Sequence, residues 1–211
     1  MLILNQLKIT NYKNYVAQTL DFAPKLNALV GMNGMGKTNL IDAVHYLCMG
    51  RSYFTTSDRD VVRQEEDTDF FRLEGYFSKP GKLETVVAKV VPGKKKELEC
   101  NKIAYVKLSE HIGHFPIVVV APSDVQLALG GSEDRRQFLD NTLSQLNFNY
   151  LQALIQYNKL LQQRNALLKQ FAEQKSFDRL LVNTYNAQMV PIGHFIHETR
   201  KEFFLSFYLF S

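Results

Sequence analysis

Gly31-Met32-Asn33-Gly34-Met35-Gly36-Lys37-Thr38 decides the reading of this chain, because it fits G-x-x-x-x-G-K-[ST] at every fixed position. At average residue usage, a chance match in a chain of this length is on the order of 1 in 100. The physics of phosphate binding asks for this pattern. Glycines take backbone conformations closed to other residues and turn their N–H groups inward, and the helix that follows adds the positive end of its dipole. In such a loop Lys37 reaches β- and γ-phosphates and Thr38 ligates Mg²⁺. The implied ligands are ATP and Mg²⁺, held by Gly31, Met32, Asn33, Gly34, Met35, Gly36, Lys37 and Thr38. A glycine-rich turn with no ligand is the plainer alternative.

The flanks supply the context. Leu26 to Val30 is short and apolar and is expected to be a strand, while Leu40, Ile41, Val44, Leu47 and Cys48 recur at helical spacing within Thr38 to Met49. Upstream, Leu2 to Ile9 and Val16 to Phe22 read as a hairpin closed by Asn11-Tyr12-Lys13-Asn14. Downstream, Phe70 to Phe77, Leu83 to Val91 and a short pair around Leu98 and Ile103 read as an antiparallel meander, punctuated by Lys79-Pro80-Gly81-Lys82 and Pro92-Gly93. Ile117-Val118-Val119-Val120 is apolar at every position and is expected to rejoin the main sheet as a strand covered on both faces.

From about Asp124 the pattern is helical. Leu146, Tyr150, Leu154, Tyr157, Leu161 and Leu168 keep three- and four-residue steps, interrupted by Arg164. A second helix, Phe177 to Leu209 with a kink near Pro191, is expected to return along it as an antiparallel arm. No internal repeat or low-complexity segment stands out.

Composition sets outer bounds. The 211 residues are 45% hydrophobic and 22% charged, close to the globular average, so a packed core is expected. No apolar run approaches the roughly 18 residues of a membrane span, and the N-terminus lacks the features of a signal peptide. Two cysteines, Cys48 and Cys100, fit a cytoplasmic chain. The net charge of +4 permits a polyanionic partner without requiring one.

Hydrolysis needs more than the loop. A P-loop enzyme also uses an acid after an apolar strand, and the one downstream candidate is Asp124 in Val118-Val119-Val120-Ala121-Pro122-Ser123-Asp124. Asp124 lies four residues past the valines, with Pro122 between, which makes it a poor Walker B acid and leaves Ser123 or Asp124 better suited to capping the next helix.

Several segments together resemble the bacterial RecF family of recombination and repair ATPases, whose heads are similar to those of ABC and SMC-type proteins. The match runs from Leu2 to about Lys201. It rests on Leu7-Lys8-Ile9-Thr10-Asn11-Tyr12-Lys13-Asn14-Tyr15, on Asn33 through Ala43, and on Gly50-Arg51-Ser52-Tyr53. It continues in Gly130-Gly131-Ser132-Glu133-Asp134-Arg135-Arg136-Gln137-Phe138-Leu139-Asp140, where Ser132 stands in place of a usual proline, and in Leu143 to Leu146, Tyr150-Leu151 and Gln163 to Lys169.

The resemblance implies an α/β fold: an ABC-type first lobe of a P-loop NTPase, with a mixed sheet and an antiparallel subdomain, followed by a helical arm. The expected division is an ATP-binding head lobe at 1–140 and an incomplete arm at 141–211. It further implies ATP-dependent homodimerisation, binding of single- and double-stranded DNA at gaps and forks, RecO and RecR as partners in loading the recombinase, and a place in DNA replication, repair and the SOS response to damage. Carried over to this chain, Lys13 and Asn14 approach the nucleotide. The family's glutamine that senses the γ-phosphate has no match in Pro122-Ser123-Asp124, although Gln126 is two residues on. The ABC signature, Walker B aspartate and D-loop are not found, and Phe203 to Ser211 departs from the charged helical pattern. The expectation is a truncated, frame-shifted or fragmentary chain that binds ATP and turns it over poorly.

Weaker signals have ordinary readings beside them. Arg135 and Arg136 are DNA-binding candidates, as are Lys94 to Lys96, Lys159, Lys169 and Lys175, against the alternative of a solvated surface. His111/His114 and His194/His197 have spacing that suits a metal on a helix, but no cysteine or acidic cluster accompanies them. Two other functions stay open: a small P-loop kinase, disfavoured by the hairpin before the loop and the antiparallel segment after its helix, and a non-catalytic nucleotide-binding fragment.

Overall fold

The structure, a computed structural model, describes residues 1–65 and 68–208. Leu209, the expected end of the second arm helix, lies outside the described residues together with Phe210 and Ser211. The chain divides into two compact units, Met1–Val119 and Val120–Ser211.

The first unit is built on a six-stranded antiparallel sheet in the order β2-β1-β3-β4-β5-β6. Its strands are β1 (Ile3–Tyr12), β2 (Tyr15–Asp21), β3 (Phe71–Lys79), β4 (Lys82–Val90), β5 (Glu97–Cys100) and β6 (Ile103–Ala104). The expected hairpin and meander are both present. Period-two alternation explains how the sheet acquires one apolar face: Leu7 and Ile9 on β1, Phe71, Leu73 and Phe77 on β3, and Val86, Ala88 and Val90 on β4 are buried, while Lys8 and Arg72 between them stay out.

Helix α1 (Lys37–Met49) covers that face with Leu40, Ala43, Tyr46 and Leu47. Tyr12, Tyr46 and Phe71 meet edge to face, with ring centroids 5.0 to 6.2 Å apart, and pack the C-terminal half of α1 against the hairpin and β3. Gly50 closes α1 in the left-handed conformation, donating its N–H to the Tyr46 carbonyl. Cys48 is buried on this helix, and burial pushes its thiol up to about 12, the behaviour of a small core hydrophobe.

Two expected strands do not form. Leu26 to Val30 and Ile117 to Val120 join no strand of the described sheet, and Leu26, Val30, Val118 and Val120 are all more than four-fifths exposed. An apolar run becomes a strand only where a neighbouring strand takes its N–H and C=O groups, and the six strands present pair among themselves. Ile117 alone of its run packs against the core, half-buried.

The second unit is helical: α2 (Gln126–Leu129), α3 (Ser132–Leu146), α4 (Phe148–Gln174) and α5 (Arg179–Tyr208). Asn147 ends α3 and begins α4, its side-chain oxygen accepting the Tyr150 N–H at 3.1 Å. Leu146 therefore belongs to α3 and is exposed, off the stripe assigned to it, while Tyr150, Leu154, Tyr157 and Leu161 do turn inward to varying degrees. Lys175 closes α4 in the left-handed conformation and Asp178 caps α5 by accepting the Leu180 and Leu181 N–H groups at 2.9 and 3.1 Å. The result is the expected antiparallel arm. Pairings of Phe171 with Phe177, Arg164 with Asn186, Tyr157 with Gly193 and Tyr150 with Arg200 keep one register along its length. Helix α5 runs through Pro191, which supplies no N–H to the carbonyl four residues before it.

Candidate nucleotide-binding site

The loop Gly31 to Gly36 leads straight into the first turn of α1. Gly31, Gly34 and Gly36 have φ of +146°, +82° and +94°, values that side chains disfavour, so the fixed glycines are where the turn needs them. The Lys37 ammonium bends back over the loop and donates to the carbonyls of Gly31 at 2.7 Å and Met32 at 2.8 Å. The lysine thus spans the loop from its C-terminal side to its N-terminal side, and those carbonyls are contacts a phosphate oxygen can replace with a stronger, charged acceptor. Met32, Asn33, Met35 and Thr38 are exposed.

The hairpin tip sits against this loop. Asn14 packs on Gly36 so closely that a Cβ there would lie 2.4 Å from the Asn14 amide nitrogen, and its Oδ1 accepts from the Asn39 amide at 2.8 Å. Tyr15 donates its hydroxyl to the Gly36 carbonyl at 3.1 Å. Asn14 therefore lies beside the loop. Lys13 points elsewhere, its ammonium 2.6 Å from Asp42 Oδ2 on the second turn of α1.

Asp42 is the residue the sequence reading missed. It is fully buried, and its Oδ2 also accepts the Tyr12 hydroxyl at 2.8 Å and the Ser52 hydroxyl at 2.7 Å, while Oδ1 accepts the Tyr53 N–H at 2.7 Å. Burial alone raises a carboxyl pKa, but the hydrogen bonds from Lys13, Ser52, Tyr53 and Tyr12 outweigh it and hold Asp42 below the ordinary range, as an ion. Burial and the Asp42 charge push the Tyr12 hydroxyl far upward, so it remains a donor. An acid one turn past a P-loop threonine looks like a solvated helix residue in sequence; only its place in the mostly apolar run Leu40 to Met49 hinted at a partner.

The hairpin tip is also tied to the segment after α1. Lys13 donates its N–H to the Val61 carbonyl at 2.8 Å, Arg63 donates its N–H to the Asn11 carbonyl at 2.9 Å, and the Arg63 guanidinium reaches the Asn14 carbonyl at 3.2 Å. Beside the tip lies an open groove lined by Lys13, Asn14, Asp60, Val62, Arg63 and Gln64.

The other candidates make contacts of their own. Arg135 donates to the Gly130 carbonyl at 3.1 Å and Arg136 to the Ser132 hydroxyl at 2.9 Å, both at the start of α3. Lys96 holds Asp58 at 3.1 Å and the Gly50 carbonyl at 3.1 Å, a structural use, whereas Lys94 and Lys95 are exposed. His111 is buried with Nε2 2.7 Å from the Leu47 carbonyl, and His114 pairs with the Tyr105 hydroxyl at 3.1 Å. Among the described residues no three His, Cys, Asp or Glu side chains converge as metal ligands. Asp124 accepts the Ala121 N–H at 2.7 Å, closing the turn that starts a short 3₁₀ helix at Pro122–Val125.

A family model described as "AAA domain" matches residues 6–188. The DNA replication and repair protein RecF of Flavobacterium johnsoniae is 43% identical over 204 residues, covering 97% of this chain and 56% of that protein. RecF of Porphyromonas gingivalis is 44% identical over 207 residues, covering 98% and 55%. The chain thus spans about half the length of the curated relatives it matches. A solved structure of the recombination mediator protein RecF with ATP, from the RecFOR pathway, superposes with a TM-score of 0.90 at 27% identity, over 96% of this chain and 54% of that one. An Smc head domain from Pyrococcus furiosus, at a TM-score of 0.54 and 18% identity over 96% of this chain and 60% of that one, shares the fold. The chain belongs to the AAA-domain family and, within it, matches the N-terminal part of the RecF-type DNA replication and repair proteins.

Proposed function

We propose that this chain is an ATP-binding element of a RecF-type DNA replication and repair protein. The observation that carries the reading is the Gly31 to Thr38 loop, with positive φ at its glycines and the Lys37 ammonium folded across it onto two loop carbonyls. Loop amides and the first turn of α1 cradle the β-phosphate, Lys37 exchanges its carbonyl partners for phosphate oxygens, and Asn14 flanks the loop. Mg²⁺ fits here in its usual manner, with the exposed Thr38 hydroxyl as protein ligand and phosphate oxygens and water completing the shell. Bound there, the metal supplies charge neutralisation for the phosphates.

In this reading residues 1–140 serve as the nucleotide-binding lobe and 141–211 as the arm. The relatives' names, a DNA replication and repair protein and a recombination mediator of the RecFOR pathway, support a role in DNA repair, and the proposal extends it to cytoplasmic work with RecO and RecR through ATP-dependent pairing of two subunits on DNA. Arg135 and Arg136, both at the start of α3, are proposed DNA contacts.

The test is an ATP titration of the purified chain and of Lys37→Ala. The lysine variant is expected to bind at least tenfold more weakly, about 1.4 kcal/mol. Equal affinity of the two proteins would remove the assignment.

A further inference from the structure

Three segments far apart in the sequence meet at one carboxylate. Tyr12 and Lys13 come from the hairpin, Asp42 from the helix that follows the glycine-rich loop, and Ser52 and Tyr53 from the turn after that helix. We propose that Asp42 is a positioning residue of the nucleotide site: by holding the Lys13 ammonium, it seats the hairpin tip on Gly36 and so fixes the shape of the phosphate loop.

The chain of contacts is short and continuous. The Asp42 side chain is wholly buried and that of Lys13 is 15% exposed, so the pair at 2.6 Å is screened by water far less than a surface pair. Lys13 occupies the turn with φ of +51°, and its main-chain N–H is committed to Val61, so the residue is fixed by both backbone and side chain. The next residue, Asn14, lies on Gly36, and Tyr15 donates to the Gly36 carbonyl. Gly36 precedes Lys37 directly and has φ of +94°. If the Lys13–Asp42 pair is broken, a buried ion loses its charged partner, the tip keeps only its ties to Val61 and Arg63, and the wall that holds Gly36 in its left-handed conformation loosens. Lys13 thus acts on bound nucleotide through Asp42 and Asn14, with its own charge spent inside the fold.

This inference rests on the proposed ATP site, and the experiment separates the two. Four versions of the 211-residue chain are compared: wild type, Lys13→Met, Asp42→Asn and the double variant, each by ATP titration and by thermal melting. Each single variant is expected to bind ATP at least fivefold more weakly. In the Asp42→Asn background, Lys13→Met is expected to change affinity less than twofold, because the partner through which it acts is already gone. Lys13→Arg, which keeps the charge, is expected to stay within threefold of wild type. An equal loss from Lys13→Met in both backgrounds would mean that Lys13 touches nucleotide itself, and an Asp42→Asn protein that melts lower yet binds ATP normally would mean that the pair only stabilises the fold. Either result overturns the proposal.

A readout on the wild-type protein keeps the question open to refutation if a variant does not fold. Reductive methylation followed by mass spectrometry should leave Lys13 slow to react both with and without ATP, while Lys94 and Lys95 react quickly. Protection of Lys13 that appears only with ATP would overturn the proposal. A wild-type chain that binds no ATP while Lys13 stays protected would instead refute the nucleotide site and leave the Lys13–Asp42 anchor standing.

Discussion

The Nε2 nitrogen of His111 lies 2.7 Å from the main-chain oxygen of Leu47, in the last turn of α1. A carbonyl can only accept, so Nε2 carries the proton and Nδ1, buried without a hydrogen-bond partner, does not. The imidazole therefore caps an orphan carbonyl at the far end of the helix that begins at the glycine-rich loop. It does so within an aromatic box formed by Tyr105 and Phe115.

Acid should undo this cap. Burial first, then the nearby His114 and Lys79 charges, push the His111 pKa from 6.5 down to about 4, against the Leu47 hydrogen bond that pulls it up. Between those two values the unfolded chain binds a proton that the native one refuses. The stabilisation is complete above pH 6.5 and is lost as pH falls toward 4, at most on the order of 3 kcal/mol. Denaturant melts at pH 7.5 and 4.5 should show His111→Gln, whose amide can still donate to Leu47, losing less stability between the two than wild type. Equal losses would show that carboxylates alone set the acid limit.

Gly36→Ala gives a second expectation. The new Cβ meets the Asn14 amide at 2.4 Å and the backbone there has φ of +94°, so either the hairpin tip or the loop must shift. Strain of this kind costs about 1 to 3 kcal/mol. The variant should melt lower and bind ATP at least tenfold more weakly, and Asn14→Gly added to it should recover part of the melting loss but not all, since the clash is relieved and the φ strain stays. Complete recovery would assign the whole effect to the clash.

How much of this was legible in the sequence follows from how local each signal is. The loop, the hairpin, the meander and the paired arm helices are written in spacing that any short window contains, and the described elements agree to within a few residues. Leu26 to Val30 and Ile117 to Val120 failed because strand formation is a property of pairs, and no window around Val118 shows whether a neighbour exists. Asp42 failed for the same reason. Its meaning lies in Tyr12, Lys13 and Ser52, which come within hydrogen-bonding distance only after the sheet and α1 have packed. The family resemblance implied that Lys13 approaches the nucleotide; its hold on Asp42 was not legible, because a turn position does not fix the direction of a long, flexible side chain.

In the arm, Arg200 on α5 grips both carboxylate oxygens of Asp140 on α3, at 2.7 and 2.9 Å, and its Nε lies 3.0 Å from the Tyr150 hydroxyl of α4, which also donates to Asp140. Three helices meet at one bidentate pair about one-fifth exposed, a geometry that fixes their angles. Arg200→Lys cannot reproduce the fork and should destabilise the second unit by about 1 to 2 kcal/mol, after allowing for the partial solvent screening. Hydrogen exchange should localise the change to α3 and the α4–α5 pair and leave β1 to β4 as protected as before. Loss of protection in the sheet instead would mean that the two units unfold together.

The last expectation concerns turnover, where the loop and the rest of the chain point apart. Metal-assisted attack on a γ-phosphate needs an acid that orients water or holds the metal, and the candidate offered by the sequence is Asp124. Its carboxylate accepts the Ala121 N–H at 2.7 Å and closes its own turn, a role that asks for a fixed, hydrogen-bonded ion. Loss of one charge-stabilising group from such sites costs roughly 100-fold in rate or more. The purified 211-residue chain is therefore expected to bind ATP and hydrolyse it negligibly, with or without DNA. Asp124→Asn should lower the melting temperature slightly through the weakened turn and leave ATP affinity unchanged. A chain that turns ATP over briskly, and loses that activity on Asp124→Asn, would make Asp124 a catalytic acid and its bond to Ala121 a resting state that the nucleotide breaks.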